Sequence, residues 1–535
     1  MLAAACIAVQ IRPMIRFARR LAALALYASP IASAQAPNGR PGLVVLITID
    51  QMRGDYITRF GAQLTGGLAR MSRGGAWYTN AQHDHAITET APGHATLLAG
   101  RFPRSTGIMA NRAGVEDDDA PLIAGGVGTG ASPKRFQGTT VADWLRSSDA
   151  RSRTFSVSTK DRGAILPVGR SRSDVYWYSP DGRFVTSTYY RDSLPAWVTS
   201  YNDRKFPQTF ASRRWTLLLP ESSYPEEDDV PEEGGGSNTT FPHDLPDDPA
   251  AAASIVRSTP FIDDITLSFA LHGVQSLRLG TGPATDLLAV SLSGTDFIGH
   301  RWGPDSREIH DQILRVDRAL GVFLDSLYTL RDSSRVTIVL TGDHGAGSIP
   351  ELAPPSVKPR PQRVSLYGLL PALHEELRKA HVDTLAIDID QQVVMADRAA
   401  FVRANVNADD FLNTLADRAR ELPGVRRVDK FSALAADTLR DPIARRWTHQ
   451  FRADAGVDLV VTLTPYSLWR GNISSHGSPY DYDSNVPLIF YGAGVAPGKH
   501  PEPVRTVDLA PTLAELAGVH PGERLDGVIL RNALR

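Results

Sequence analysis

Near-continuous apolar runs at residues 43–49, 154–158, 287–292, 336–340 and 486–491 constrain the fold of this chain more than any other feature. A segment that is apolar at almost every position has no solvated face, so each run reads as a strand covered on both sides, the pattern of a parallel sheet. Helical periodicity falls between them, over residues 141–146, 309–327 and 509–517. Strands alternating with helices predict a doubly wound α/β fold: a mostly parallel sheet with helices on both faces.

Two regions break this rhythm. Residues 170–250 contain the acidic, glycine-rich stretch YPEEDDVPEEGGGSNTTFPHDLPDDP. Its composition predicts a flexible, solvated surface insertion, with a calcium site as the less favoured alternative. Residues 351–470 open on APPSVKPRPQ and continue with strand-like, helix-like and again strand-like segments. They are expected to form a small α+β insert, a cap over the site, within a main domain made of residues 35–350 and 471–535.

The N-terminus carries its own signal. From Met14 the chain reads MIRFARRLAALALYASPIASAQA, with Arg16, Arg19 and Arg20 ahead of a short apolar run and small residues at 32–34. This is the pattern of a signal peptide over residues 1–34 with its start at Met14, and the run is too short to span a bilayer. A periplasmic or secreted protein is expected. The only cysteine, Cys6, precedes the cleavage point, so any metal in the mature chain must be held by His and carboxylates. With 57 basic and 59 acidic residues, the charge gives no case for a nucleic-acid or membrane-surface partner.

Ligands of open α/β sheets bind beyond the carboxyl ends of the strands. LVVLITI ends in Asp50, LLAVSL runs into SGTDFIGH with Asp296 and His300, and VTIVL runs into TGDHG with Asp343 and His344. His476, in ISSHGSPYDYD, comes shortly before VPLIFYG. An Asp after a strand is often only a turn former and a lone His only a satisfied polar residue. Together these side chains suffice to bind two divalent cations. Thr90, in TETAPGHATLLAG, sits just before Pro92 at a helix start. Taken by itself, it reads first as a helix cap. Beside a metal, its hydroxyl would become a nucleophile.

These motifs, in this order and over most of the mature chain, resemble the alkaline phosphatase superfamily, in its type I phosphodiesterase/nucleotide pyrophosphatase branch. The resemblance implies a first metal on Asp50, Asp343, His344 and Thr90, and a second on Asp296, His300 and His476, both of them zinc. It also implies that Asn111 hydrogen-bonds a phosphoryl oxygen. Lys160 and Arg162, in TKDRG, resemble the K-x-R pair of the phosphate-irrepressible (PafA-type) alkaline phosphatases, which contacts the transferred group. Two cations there should favour the extra charge of a monoester. The implied function is a zinc-dependent alkaline phosphatase acting through phosphothreonine. A phosphodiesterase/nucleotide pyrophosphatase is the alternative within the branch, and a silent metal- or phosphate-binding protein the alternative outside enzymes. Sulfatases of the superfamily need an oxidisable Cys or Ser where this chain has Thr90. Small-molecule phosphate monoesters are the expected partners, with no nucleic acid and no stable membrane anchor, and a monomer is expected.

Overall fold

The computed structural model describes residues 39–535 except 113 and 124, so the leader expected at 1–34 lies outside the described residues. A ten-stranded sheet forms the centre. Its strands here are β1 (Leu43–Ile49), β2 (Ala76–Gln82), β3 (Thr154–Ser158), β4 (Asp174–Ser179), β5 (Arg183–Val185), β6 (Asp286–Leu292), β7 (Val336–Gly342), β8 (Asn485–Gly492) and β9 (Gly498–His500). They lie in the order β9-β2-β8-β7-β1-β6-β3-β4-β5, and a short strand at Val504–Arg505 also pairs with β2. β1 runs parallel to both β6 and β7, and β6 parallel to β3.

The apolar runs are buried at every position of β1, β6 and β7. Successive residues of a strand point to opposite faces, and the two faces feed two separate cores. Val45, Ile47 and Ile49 pack with Leu314, Leu320 and Leu324, whereas Val44 and Leu46 pack with Leu509 and Leu513. Four helices position the site: α1 (Thr90–Leu97), α2 (Asp161–Ile165), α3 (Gly294–Trp302) and α4 (Arg307–Leu330). The fold is therefore α/β with a mostly parallel sheet covered on both sides.

One expectation needs correction. β8 runs antiparallel to both β7 and β2, whereas its apolar run reads as parallel. A strand buried on both faces is apolar whichever way it runs, so the pattern does not encode direction. The reversal brings the start of β8, rather than its end, to the edge where β1, β6 and β7 finish. That is how His476, ahead of β8, reaches the site.

The acidic stretch lies at the surface, as its composition predicts. It has little regular structure and most of its residues are exposed, but it is anchored at several points. Tyr224 is buried and hydrogen-bonds Asp311, Glu226 pairs with His310 and Arg59, and Trp302 Nε1 donates to the carbonyl of Asn238. Glu226 and Asp228 are held by bases from distant parts of the chain, which composition does not reveal.

Residues 387–463 contain a separate four-stranded antiparallel sheet: Ile387–Asp390, Val393–Ala396, Val457–Leu463 and Val425–Lys430, in that spatial order. Phe401, Leu412, Leu415 and Val461 belong to its own apolar core. A smaller cluster joins Val393, Phe431, Trp447 and Phe451 to Ala86 and Ile87, just ahead of Thr90.

Ile47 is fully buried in the central strand, so Ile47→Ala should cost about 2–5 kcal/mol. A thermal-unfolding scan on metal-loaded protein should show a clearly lowered midpoint, and an unchanged midpoint would contradict this account of the core.

Candidate active site at the sheet edge

Asp50 follows β1, Asp343 and His344 follow β7, and Asp296 and His300 lie on α3, just past β6. Parallel pairing in register brings these chain exits together: Ile49 pairs with Leu292 on one side and with Gly342 on the other. Ligand atoms of Asp50, Asp343 and His344 all lie within 4.8 Å of one another, as do those of Asp296, His344 and His476. His344 belongs to both groups, with Nε2 3.4 Å from Asp50 and 4.0 Å from Asp296. His300 Nε2 lies 3.3 Å from Asp296.

Each imidazole is oriented by a hydrogen bond on its far side. Nδ1 of His300 contacts the carbonyl of Ser474 at 2.9 Å, Nδ1 of His344 that of Gly345 at 2.9 Å, and Nδ1 of His476 that of Thr88 at 2.7 Å. A donor Nδ1–H leaves the lone pair on Nε2 pointing into the cluster, the arrangement metal ligation requires. Burial lowers the pKa of His344, and burial with the nearby His344 and His300 holds His476 well below its usual value. The two rings stack at 3.6 Å.

The carboxylates need a cation. Burial, with Asp296 and Asp343 beside it, pushes Asp50 well above the usual carboxylate range. Neither Asp50 oxygen accepts a well-aligned hydrogen bond, and Oδ2 of Asp343 is likewise without one. Three buried acids, with three imidazoles whose Nε2 atoms turn toward them, fit two divalent cations. Lys160 supplies the nearby positive charge, its Nζ 2.6 Å from Asp50 and 2.5 Å from Asp296. Burial opposes that charge, but Asp296 and Asp50 outweigh it and raise the lysine's pKa.

Thr90 is the first residue of α1 and buried. The N-cap position belongs to Glu89, and Thr90 makes no side-chain cap. Its Oγ1 instead lies 3.5 Å from His344 Nε2 and 3.4 Å from Lys160 Nζ. Gly93 allows this approach: a Cβ there would stand 2.2 Å from the carbonyl oxygen of Asp343.

Asn111 Oδ1 accepts from the backbone N–H of Ala91 at 2.8 Å, which commits its amide NH2 to the other side. Its own backbone N–H donates to Glu89 at 2.6 Å. Arg162, in the first turn of α2, is partly exposed, with Nη1 3.6 Å from Asp161. Beside the cluster opens a cleft of about 390 Å³. Glu89, Asn111, His300 and His476 line one side, and Val393, Met395 and Val457 from the second sheet line the other. Arg112 bridges the two sides through Asp390 at 3.2 Å.

Three residues of the site have no counterpart in the sequence reading. His94 contacts Asp343 at 3.0 Å and Ser291 at 2.9 Å. It stands one helical turn after Thr90, and that i, i+4 spacing was its available signal. Gln51 donates to Asp343 from its backbone and to Asp296 from its side chain, at a φ of 64°. Glu89 braces Asn111, and burial pushes its pKa up. Neither of these two has a sequence signature.

The sequence matches the description "Type I phosphodiesterase / nucleotide pyrophosphatase" over residues 44–428. The chain belongs to the type I phosphodiesterase/nucleotide pyrophosphatase family. Within that family it is similar to alkaline phosphatase PafA of Elizabethkingia meningoseptica, 30% identical over 92% of this chain and 94% of the relative. It is also similar to alkaline phosphatase PhoV of Synechococcus elongatus, 31% identical over 93% of each. The crystal structure of wild-type PafA superposes with a TM-score of 0.84 at 27% identity, covering 93% of this chain and 99% of that one. Murine ectonucleotide pyrophosphatase/phosphodiesterase 5 shares the fold at a TM-score of 0.53 and 14% identity, over 92% of this chain and 100% of that one. The matched family span carries every candidate site residue except His476.

Because Gly93 sets the seating of α1 on Asp343, Gly93→Ala should weaken metal retention by about 10–100-fold, the range typical of disturbed supporting contacts. Metal content after dialysis against graded chelator measures this, and wild-type retention would contradict the role given to Gly93.

Proposed function

We propose that this chain is a zinc-dependent alkaline phosphatase, exported to the periplasm or medium, that hydrolyses small-molecule phosphate monoesters through a phosphothreonine at Thr90. The observation that carries the reading is Thr90 Oγ1, freed from capping and buried within 3.5 Å of His344, the residue shared by both ligand groups. Full-length similarity to proteins named alkaline phosphatases supports it. Among the described residues no helix is long and apolar enough to cross a membrane.

Asp50, Asp343 and His344 would hold one zinc, together with Thr90, and Asp296, His300 and His476 the other. Imidazole and carboxylate donors suit zinc. Bound there, the ions would lower the hydroxyl pKa and neutralise phosphoryl charge. Thr90 Oγ1 forms a bond to phosphorus as the ester oxygen leaves. Water then attacks the phosphothreonine, returns the hydroxyl and releases inorganic phosphate. Asn111, through its uncommitted NH2, with Lys160 and Arg162, would hold the non-bridging oxygens, where charge must be stabilised. The insert at 351–470 acts as the cap. It closes the cleft beside His300 and His476, on the side given to the departing group.

Hydrogen bonds to charged partners are worth about 1.5–3 kcal/mol, or roughly 10–100-fold. A dianionic monoester should therefore lose at least that much kcat/KM when Arg162 is replaced by Ala, while a diester with the same aryl group loses far less. The wild-type monoester-to-diester ratio of kcat/KM should lie far above one. A ratio below one would keep the metal centre and place the chain among the phosphodiesterases.

A further inference from the structure

The cleft beside the two ligand groups carries an apolar patch that the phosphoryl chemistry does not use. Met109 of the main domain and Met395 of the second sheet both line it, and both are only half-buried. Among the described residues the other two methionines, Met52 and Met71, are fully buried in the core. Val457 is likewise half-buried and faces the same space. All three pack on one apolar cluster, and its buried members Ile87, Val393 and Phe451 also line the cleft.

The spacing of these walls is fixed by a buried side chain. Gln450, at the end of the insert helix Pro442–Gln450, accepts from the backbone N–H of Ile87 at 2.8 Å and donates to the carbonyl of Met109. The charged groups that share the cleft are engaged as well. Asp390 pairs with Arg112 at 3.2 Å, and Glu89 accepts from the backbone of Asn111 at 2.6 Å. The half-covered methionine and valine side chains gain by further burial. At about 390 Å³ the space falls within the range of about 300–1,000 Å³ for pockets that enclose small molecules.

We propose that Met109, Met395 and Val457 form a subsite for the leaving group, one that favours monoesters of apolar alcohols and phenols over those of small polar alcohols. The inference rests on the phosphatase reading above. In-line attack sends the departing oxygen to the side opposite Thr90. The ligand group given to that oxygen contributes His300 and His476 to the lining of this cleft. A leaving group held there extends toward the two methionines, and covering them removes apolar surface of both partners from water. Unbranched thioethers adapt to varied shapes, so the subsite selects by polarity more than by one outline. A carboxylate or second phosphate on the same group would instead meet Glu89 and Asp390, which carry the wrong sign of charge.

Ethyl, butyl and hexyl phosphate test this on the full-length, zinc-loaded enzyme, because the three esters differ only in methylenes. In the wild type kcat/KM should rise by about two- to fourfold per covered methylene, so that hexyl exceeds ethyl by more than about tenfold. In the double variant Met109→Gln, Met395→Gln that hexyl-to-ethyl ratio should fall at least about fivefold. A ratio taken within one preparation cancels any loss common to both esters, and the wild-type series does not depend on the variant folding. A flat wild-type series with measurable turnover, or a wild-type ratio in the double variant, would overturn the subsite and leave the phosphatase reading standing. No turnover of any monoester, aryl phosphates included, would overturn both.

Discussion

Three carboxylates buried at one edge of one sheet set the terms for the rest of this structure. Asp50, Asp296 and Asp343 are brought together by parallel pairing of the three central strands. Like charges in a low-dielectric site repel strongly, and leaving them unpaired would cost several kcal/mol. The fold tolerates the cluster because the strands beneath are fully buried and rigid, and because positive charge is brought to it. Lys160 belongs to that compensation as much as to any recognition of substrate.

The same constraint explains the surrounding polar architecture. Backbone carbonyls of Ser474, Gly345 and Thr88 fix the three imidazoles, and Gln51 and His94 hold the carboxylates. Preorganisation of this kind removes the need to reorganise during reaction, which is where electrostatic catalysis gains most. The helix bearing Thr90 is seated by a glycine with backbone on its far side, so nucleophile and ligand cluster are placed by one contact. Val393, Met395 and Val457 of the second sheet face Asn111, His300 and His476 across one cleft.

Much of this was legible before the structure. Strands buried on both faces leave continuous apolar runs, so the central sheet and the residues at its exits could be read off the chain. Thr90 could be placed at a helix start through Pro92. Strand direction was not legible, because the apolar pattern of β8 is the same in either orientation. Long-range pairing was not legible either. Tyr224 and Glu226 look like solvated loop residues until Asp311, His310 and Arg59 are seen beside them. Gln51 carries no signal at all, since its role depends on a left-handed backbone that sequence does not announce. Glu89, an ordinary acid before a helix, gains its meaning only from the position of Asn111.

The central claim is that Thr90 is the group that attacks phosphorus on a two-metal platform that stands without it. The most direct measurement is Thr90→Ala, assayed for zinc per chain and for monoester turnover on the same preparation. The account predicts two zinc ions retained and turnover reduced by roughly 10³-fold or more. Near-wild-type turnover with full zinc would contradict it and move the nucleophile elsewhere.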